Sequence, residues 1–245
     1  MNLAQPQQRV AGARVPDPLD RKYYQAVPAQ SLSEYVLIAA RDCIYEDFVA
    51  HCRPRASDMI LDVGVSDIVN DAANMVERKY PYPDRITAAG LGAAGEFRET
   101  FPKVTYTQIE ANRPLPFADK HFDIATSNAV LEHVGSQASQ EFFVREMLRV
   151  ARRVFISVPN RWFPVEHHTG IPLLHYWNAS FRLACDWFGR GAWTDEANLI
   201  LMSKRSLSSL APPGVPWRVG YTGIPLGPFS SNLFILFGDS ARAAP

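Results

Sequence analysis

Between residues 57 and 160, short apolar runs alternate with segments of helical periodicity, and this alternation restricts the fold more than any other feature of the chain. Met59 to Val63, Ile86 to Ala89, Val104 to Ile109, Phe122 to Ser127 and Val154 to Val158 are rich in β-branched, aromatic or small apolar residues and are bounded by turn formers, the pattern of buried strands. Between them, Ile68, Ala72, Met75, Val76 and Lys79 fall on a helical repeat over 68–79. Phe142, Phe143, Met147, Leu148 and Val150 do the same in a helix predicted from Gln137 to Ala151, facing a sheet. Strands alternating with helices imply parallel βαβ units with helices on both faces. A ligand site is then expected beyond the carboxyl ends of the strands, at the switch point beside the first one.

The flanks read differently. Residues 1–30 are rich in Gln, Pro, Ala and Arg without periodicity and are expected to form a flexible arm. Ser31 and Glu34 have capping-box spacing ahead of a helix that Pro54 ends. Residues 31–245 are expected to form a single domain: a ligand-binding half over about 57–160, an aromatic region over about 160–212 with a helix from Leu173 to Phe188, and an antiparallel strand pair over about 215–238.

Composition narrows the function. At 245 residues and 47% hydrophobic, the chain can bury a substantial core. Lys plus Arg and Asp plus Glu number 25 each, so no global field favours nucleic acid, and no basic patch interleaved with aromatics supports such a partner. The three cysteines have no disulfide or metal spacing, which suits a reducing, cytoplasmic setting. No apolar run reaches the roughly 18 residues of a spanning helix. The aromatic stretch HYWNASFRLACDWF leaves a lid, a homodimer face or a shallow membrane contact open, the last weakened by the lack of a basic face.

Three stretches carry chemistry: 60-ILDVGVSD-67, 115-LPFADKHFDIATSNAVLEHV-134 and 154-VFISVPNRWFP-164. The first opens like a nucleotide-type loop, yet Ser66 and Ile68 stand where further glycines are usual. A plain strand-to-helix turn capped by Ser66 or Asp67 explains it as well. In order and spacing the three together resemble the class I S-adenosylmethionine-dependent methyltransferases. The resemblance implies a doubly wound α/β, mostly parallel seven-stranded sheet with an antiparallel C-terminal pair, and S-adenosylmethionine as cofactor.

It also implies site residues. Asp62 would accept a hydrogen bond from the cofactor's ammonium group, and Gly64, Val65 and Ser66 would form the loop beneath it. Gly90 and Gly92 stand where the family has an acid for the ribose hydroxyls; Glu96 is the nearest carboxylate, and its alternative is a solvated helix start. Glu110 and Ala111 would meet the adenine, and the backbone of Ser127, Asn128 and Ala129 the sulfonium side. For the acceptor, the resemblance points to His133 as proton acceptor and to the loop carrying Glu166, His167 and His168. A metal site is not expected, since HExxH is absent and no second ligand cluster is visible. The implied activity is methyl transfer, most simply to an oxygen of a small-molecule, lipid-linked or sugar-linked acceptor. A non-catalytic member of the fold that binds a partner is the alternative.

Overall fold

A computed structural model describes residues 32–67, 69 and 73–238. The expected arm over 1–30, the Ser31 capping box and most of the predicted first turns after the 64–67 loop lie outside these residues. Seven strands form one sheet in the order β3-β2-β1-β4-β5-β7-β6. They are β1 (Ile60–Val63), β2 (Ile86–Gly90), β3 (Thr105–Gln108), β4 (Phe122–Asn128), β5 (Ala151–Pro159), β6 (Trp217–Thr222) and β7 (Asn232–Phe237). The first five run parallel, and β7 pairs antiparallel with both β5 and β6.

Both faces are covered because side chains alternate along each strand. Leu61 and Val63 of β1 point into one core, closed by Val144, Met147 and Val150 of helix α4 (Gln137–Val150). Ile60 points into the other, closed by Ile44 and Phe48 of α1 (Leu32–Cys52), Val76 of α2 (Met75–Lys79) and Phe97 of α3 (Gly95–Thr100). Burying so many side chains of this size, each contributing about 1.5–3 kcal/mol, is what holds the sheet between its helices. Cys52 and Cys185 are buried and free, and burial pushes their thiols up to about 12 and about 11, as expected of packing residues.

Several boundaries differ from expectation for local reasons. Helix α2 is only five residues long, beginning after Asn74, which is held in a left-handed conformation (φ 55) by its side chain's bonds to Ser66. The helix expected from Leu173 to Phe188 is divided. Leu173 has φ 59, a 3₁₀ turn covers Leu174–Tyr176, Trp177 is extended, and α5 then runs over Asn178–Trp187. Strand β5 starts directly at the end of α4, earlier than its β-branched run suggested, because Ala151 and Arg153 pair with Phe122 and Ile124 of β4.

After β5 the chain forms the 159–172 loop, α5 and α6 (Lys204–Ser209), the last started by a Ser203/Ser206 capping box. Helix α5 buries Phe181, Ala184 and Cys185 against Ile171 and Leu199, while Leu183 and Trp187 stay largely exposed. Among the described residues no helix is long and apolar enough to cross a membrane.

Candidate active site

The strand order reverses between β1 and β4, where successive crossovers leave to opposite sides of the sheet, so the loops after these strands part and leave a crevice. A cavity of about 370 Å³ opens there. Gly64, Val65 and Asp67 from the loop after β1, Gly90 to Gly92 after β2, Ile109 to Arg113 after β3 and Ala129, Val130 and His133 after β4 line it. Phe142 and Phe143 of α4 complete the wall, both half-buried, and Phe143 also packs against the core beneath it.

The β1 loop is shaped by the protein's own contacts. Gly64 N–H and Val65 N–H both donate to Ala89 O, at 2.7 and 3.3 Å. Gly64 has φ +94, and a Cβ on it would meet Val130 Cγ2 at 2.2 Å, so glycine is required by conformation and by space. The Ser66 N–H donates to Asn74 Oδ1 and its carbonyl accepts from Asn74 Nδ2, so one side-chain amide holds both main-chain groups of this residue. A Cβ on Gly90 would meet Tyr106 Oη at 2.6 Å, and one on Gly92 would meet Asp67 Oδ2 at 2.0 Å.

The resemblance placed no acid at the end of β2, but the fold brings one there. Asp67 Oδ2 accepts from Ala94 N–H at 2.9 Å, while Oδ1 is buried without a hydrogen-bond partner. Asp67 lines the cavity beside Gly90 and Gly92; Glu96 is exposed on the first turn of α3 and does not. In the sequence Asp67 looked like a helix cap, and only the β1–β2 register gives it this position.

Asp62 does not line the cavity. Its carboxyl is buried on the side of Ile60, off the cavity wall and next to Glu77, whose oxygens are buried without hydrogen-bond partners. Burial pushes Asp62 up to about 7 and, with Asp62 nearby, holds Glu77 well above the usual carboxylate range. Ser66, Ser127 and Asn128 are also off the wall. Ser127 Oγ donates to Val63 O at 2.8 Å, tying β4 to β1, and Asn128 Oδ1 accepts from Ser157 Oγ at 2.6 Å. Ala129, with φ 55, does line the cavity, as do Glu110 and Ala111.

At the far end of the cavity stands His133, on the 3₁₀ turn Leu131–His133. Its Nδ1 lies 2.7 Å from Asn198 O and its Nε2 lies 3.0 Å from Nε2 of His168. A carbonyl only accepts, so His133 Nδ1 carries a proton. Behind it, His168 Nδ1 is 2.8 Å from Glu166 Oε1, and Glu166 accepts further bonds from the backbone N–H groups of His168 and Thr169 and from Thr169 Oγ1. Burial alone would raise the Glu166 carboxyl, but the bond to and charge of His168, with the Thr169 hydroxyl and the backbone donor, bring it down to about 2. Burial and the neighbouring His168 push His133 down to about 4. His168 is raised: burial opposes its charge, and Glu166 and Glu132 outweigh that. His167 turns away, packing on Phe163, and burial lowers it to about 4.

Residues 83–154 match the family model of a methyltransferase domain. No curated protein matches the chain. Among solved structures, a protein from Pyrococcus horikoshii superimposes with a TM-score of 0.57 at 11% identity, over 91% of this chain and 99% of that one. The N-methyltransferase NodS from Bradyrhizobium japonicum, in complex with S-adenosyl-L-homocysteine, gives 0.54 at 10%, over 89% and 95%. Magnesium protoporphyrin IX methyltransferase from Synechocystis, with S-adenosyl-L-homocysteine bound, gives 0.53 at 10%, over 90% and 93%. The fold is that of the class I S-adenosylmethionine-dependent methyltransferases. Both the matched segment and the strand order agree with the resemblance first read from the three stretches.

Proposed function

We propose that the protein transfers a methyl group from S-adenosylmethionine to an oxygen of a small-molecule, lipid-linked or sugar-linked acceptor. The observation that carries this reading is the cavity at the switch point, with peptide groups, apolar side chains and the carboxylates of Asp67 and Glu110 toward one end and His133 at the other. About 370 Å³ is ample for a small-molecule ligand. The buried Asp67 Oδ1, which has no hydrogen-bond partner, fits a ligand that brings hydroxyl donors to the end of β2, as the ribose of the cofactor does.

When bound, S-adenosylmethionine supplies a methyl group on a sulfonium sulfur, already attached to a good leaving group. The chain's own task is alignment and proton management. Gly64, Val65 and Ala129 would hold the cofactor against the ends of β1 and β4, Asp67 its ribose, and Ile109, Glu110 and Ala111 its base. Fixing the acceptor in line with the methyl group supplies much of the rate gain. A hydroxyl must also shed its proton as the new bond forms, and His133 is the wall residue suited to manage it. His168 and Glu166 act through His133 as positioning residues.

The neighbouring structures include an N-methyltransferase, so their names do not select the atom. The choice of oxygen rests on the buried His133, His168 and Glu166, a costly arrangement that an amine acceptor does not require. Calorimetric titration with S-adenosylhomocysteine, with NAD as control, tests the reading. Micromolar affinity for the first and none for the second is expected. Absence of S-adenosylhomocysteine binding up to millimolar concentration would refute it and leave the non-catalytic alternative.

A further inference from the structure

The histidine cluster has a feature that proton management does not account for. His133 Nδ1 faces a carbonyl at 2.7 Å and His168 Nδ1 faces the Glu166 carboxylate at 2.8 Å, so both Nδ1 atoms carry protons. The two Nε2 atoms are turned toward each other at 3.0 Å. The third group is Glu132, which is 1% exposed; neither of its oxygens has a hydrogen-bond partner, and Oε1 lies 3.9 Å from His133 Nε2. One atom from each of the three residues can be chosen so that all lie within 4.8 Å of one another. A proton shared between the imidazoles would explain the short contact between them, but it would leave a buried carboxylate without a partner.

We propose that Glu132, His133 and His168 bind one divalent first-row transition-metal ion at the acceptor end of the cavity. Ligand atoms held about 2.0–2.1 Å from such an ion in tetrahedral geometry lie about 3.3 Å apart, close to the 3.0 and 3.9 Å separations seen here. Two imidazoles and one carboxylate are the donor set for this class of ion and leave coordination positions open. The outer contacts also fit. Each ligating imidazole would use its other nitrogen on a carbonyl or a carboxylate, which fixes the tautomer and the ring plane. The sequence argued against a metal because the ligands follow no recognised spacing: two are adjacent on one tight turn, and the third arrives 35 residues later from the loop after the neighbouring strand β5.

The role of the ion rests on the methyltransferase reading. The acceptor hydroxyl would bind at an open position and lose its proton to water, because a bound divalent cation stabilises the oxyanion. In the transfer, an oxygen lone pair forms the bond to the methyl carbon. The carbon–sulfur bond breaks with its electron pair remaining on sulfur, which becomes a neutral thioether.

The test uses the full chain stripped with a chelator and titrated with Co²⁺ and Zn²⁺. One equivalent per chain is expected, with the Co²⁺ absorption bands of a low-coordinate nitrogen- and oxygen-ligated site that Zn²⁺ abolishes. His168→Ala and Glu132→Gln should each weaken binding at least about a hundredfold, and Glu166→Gln about 10- to 100-fold. The unmodified chain decides the matter if a variant fails to fold. Only the spectrum of hydrated Co²⁺, or no stoichiometric uptake, would overturn the proposal, as would undiminished binding by folded His168→Ala and Glu132→Gln. S-adenosylhomocysteine titrated into the same stripped sample separates the two readings. Its binding without metal uptake removes the metal site alone; metal uptake without its binding removes the methyltransferase reading and keeps the site.

Discussion

The two ends of the cavity are built on opposite principles. The cofactor end is made of peptide groups, glycines and small apolar side chains, with Asp67 and the exposed Glu110 as carboxylates on its wall; its shape comes from steric fit, such as Val130 seated where a Gly64 side chain would be. At the acceptor end His133 faces the cavity; behind it stand His168 and the buried Glu166, held by directed hydrogen bonds, and the buried Glu132, whose carboxyl oxygens have no hydrogen-bond partner. Contact with an extended ligand needs surface, which backbone supplies cheaply. Control of a proton or a cation needs charge in a dry place, which is stable only when every charged group is satisfied. Loss of loop glycines at positions 66 and 68 is therefore tolerable at the first end, where Asn74 takes over support of the loop. A comparable loss at the second end should not be.

Substitutions can break or sharpen this contrast. His133→Ala should lower turnover by about 10²- to 10⁴-fold while leaving S-adenosylhomocysteine affinity nearly unchanged. An equal loss of affinity, read calorimetrically, would mean that the two ends are not separable. Glu166→Gln should cost about 1–3 kcal/mol of stability at neutral pH, because the His168 and Thr169 donors lose their buried carboxylate acceptor.

The pH dependence of that cost follows from the shifts. The Glu166 pKa is depressed from 4.5 to about 2, so its contribution is present above about 4.5 and is lost as pH falls toward 2. Denaturation curves of wild type and Glu166→Gln should therefore converge over that interval. His133 and His167 are lowered from 6.5 to about 4, so the unfolded chain takes up protons first and wild-type stability should already decline as pH drops from 6.5 to 4. A flat profile there would contradict the buried, neutral histidines.

The cofactor end should respond more gently. Asp67→Ala removes a charge-assisted bond, worth about 1.5–3 kcal/mol, and should weaken S-adenosylhomocysteine binding about 10- to 100-fold. If Glu96→Ala weakens it and Asp67→Ala does not, the assignment of the β2-end carboxylate is reversed. Smallest of all, Glu110→Ala should cost only a few-fold, because Glu110 is exposed and screened. Unaltered affinity, measured the same way, would remove Glu110 from the site.

Strand and helix type were legible in the sequence because periodicity is local: the five parallel strands, helix α4 and the antiparallel pair lie within a few residues of where their patterns put them. Residues of the glycine loop and of the segment ending in LEHV line the cavity, and the 159–172 loop brings His168 against His133 behind its wall. Local pattern does not report which way one side chain points at a strand end. Asp62 therefore read as a cofactor ligand although it faces Glu77, and Asp67 as a cap although it faces the end of β2. By itself, the sequence determined a doubly wound sheet with a site at its switch point, because burial enforces the periods of 2 and 3.6. Only the tertiary structure decided the company of Glu132. The contact of His133 with His168, residues 35 apart in the chain, depends on two loops closing over the same strand ends, and no short-range pattern encodes that approach.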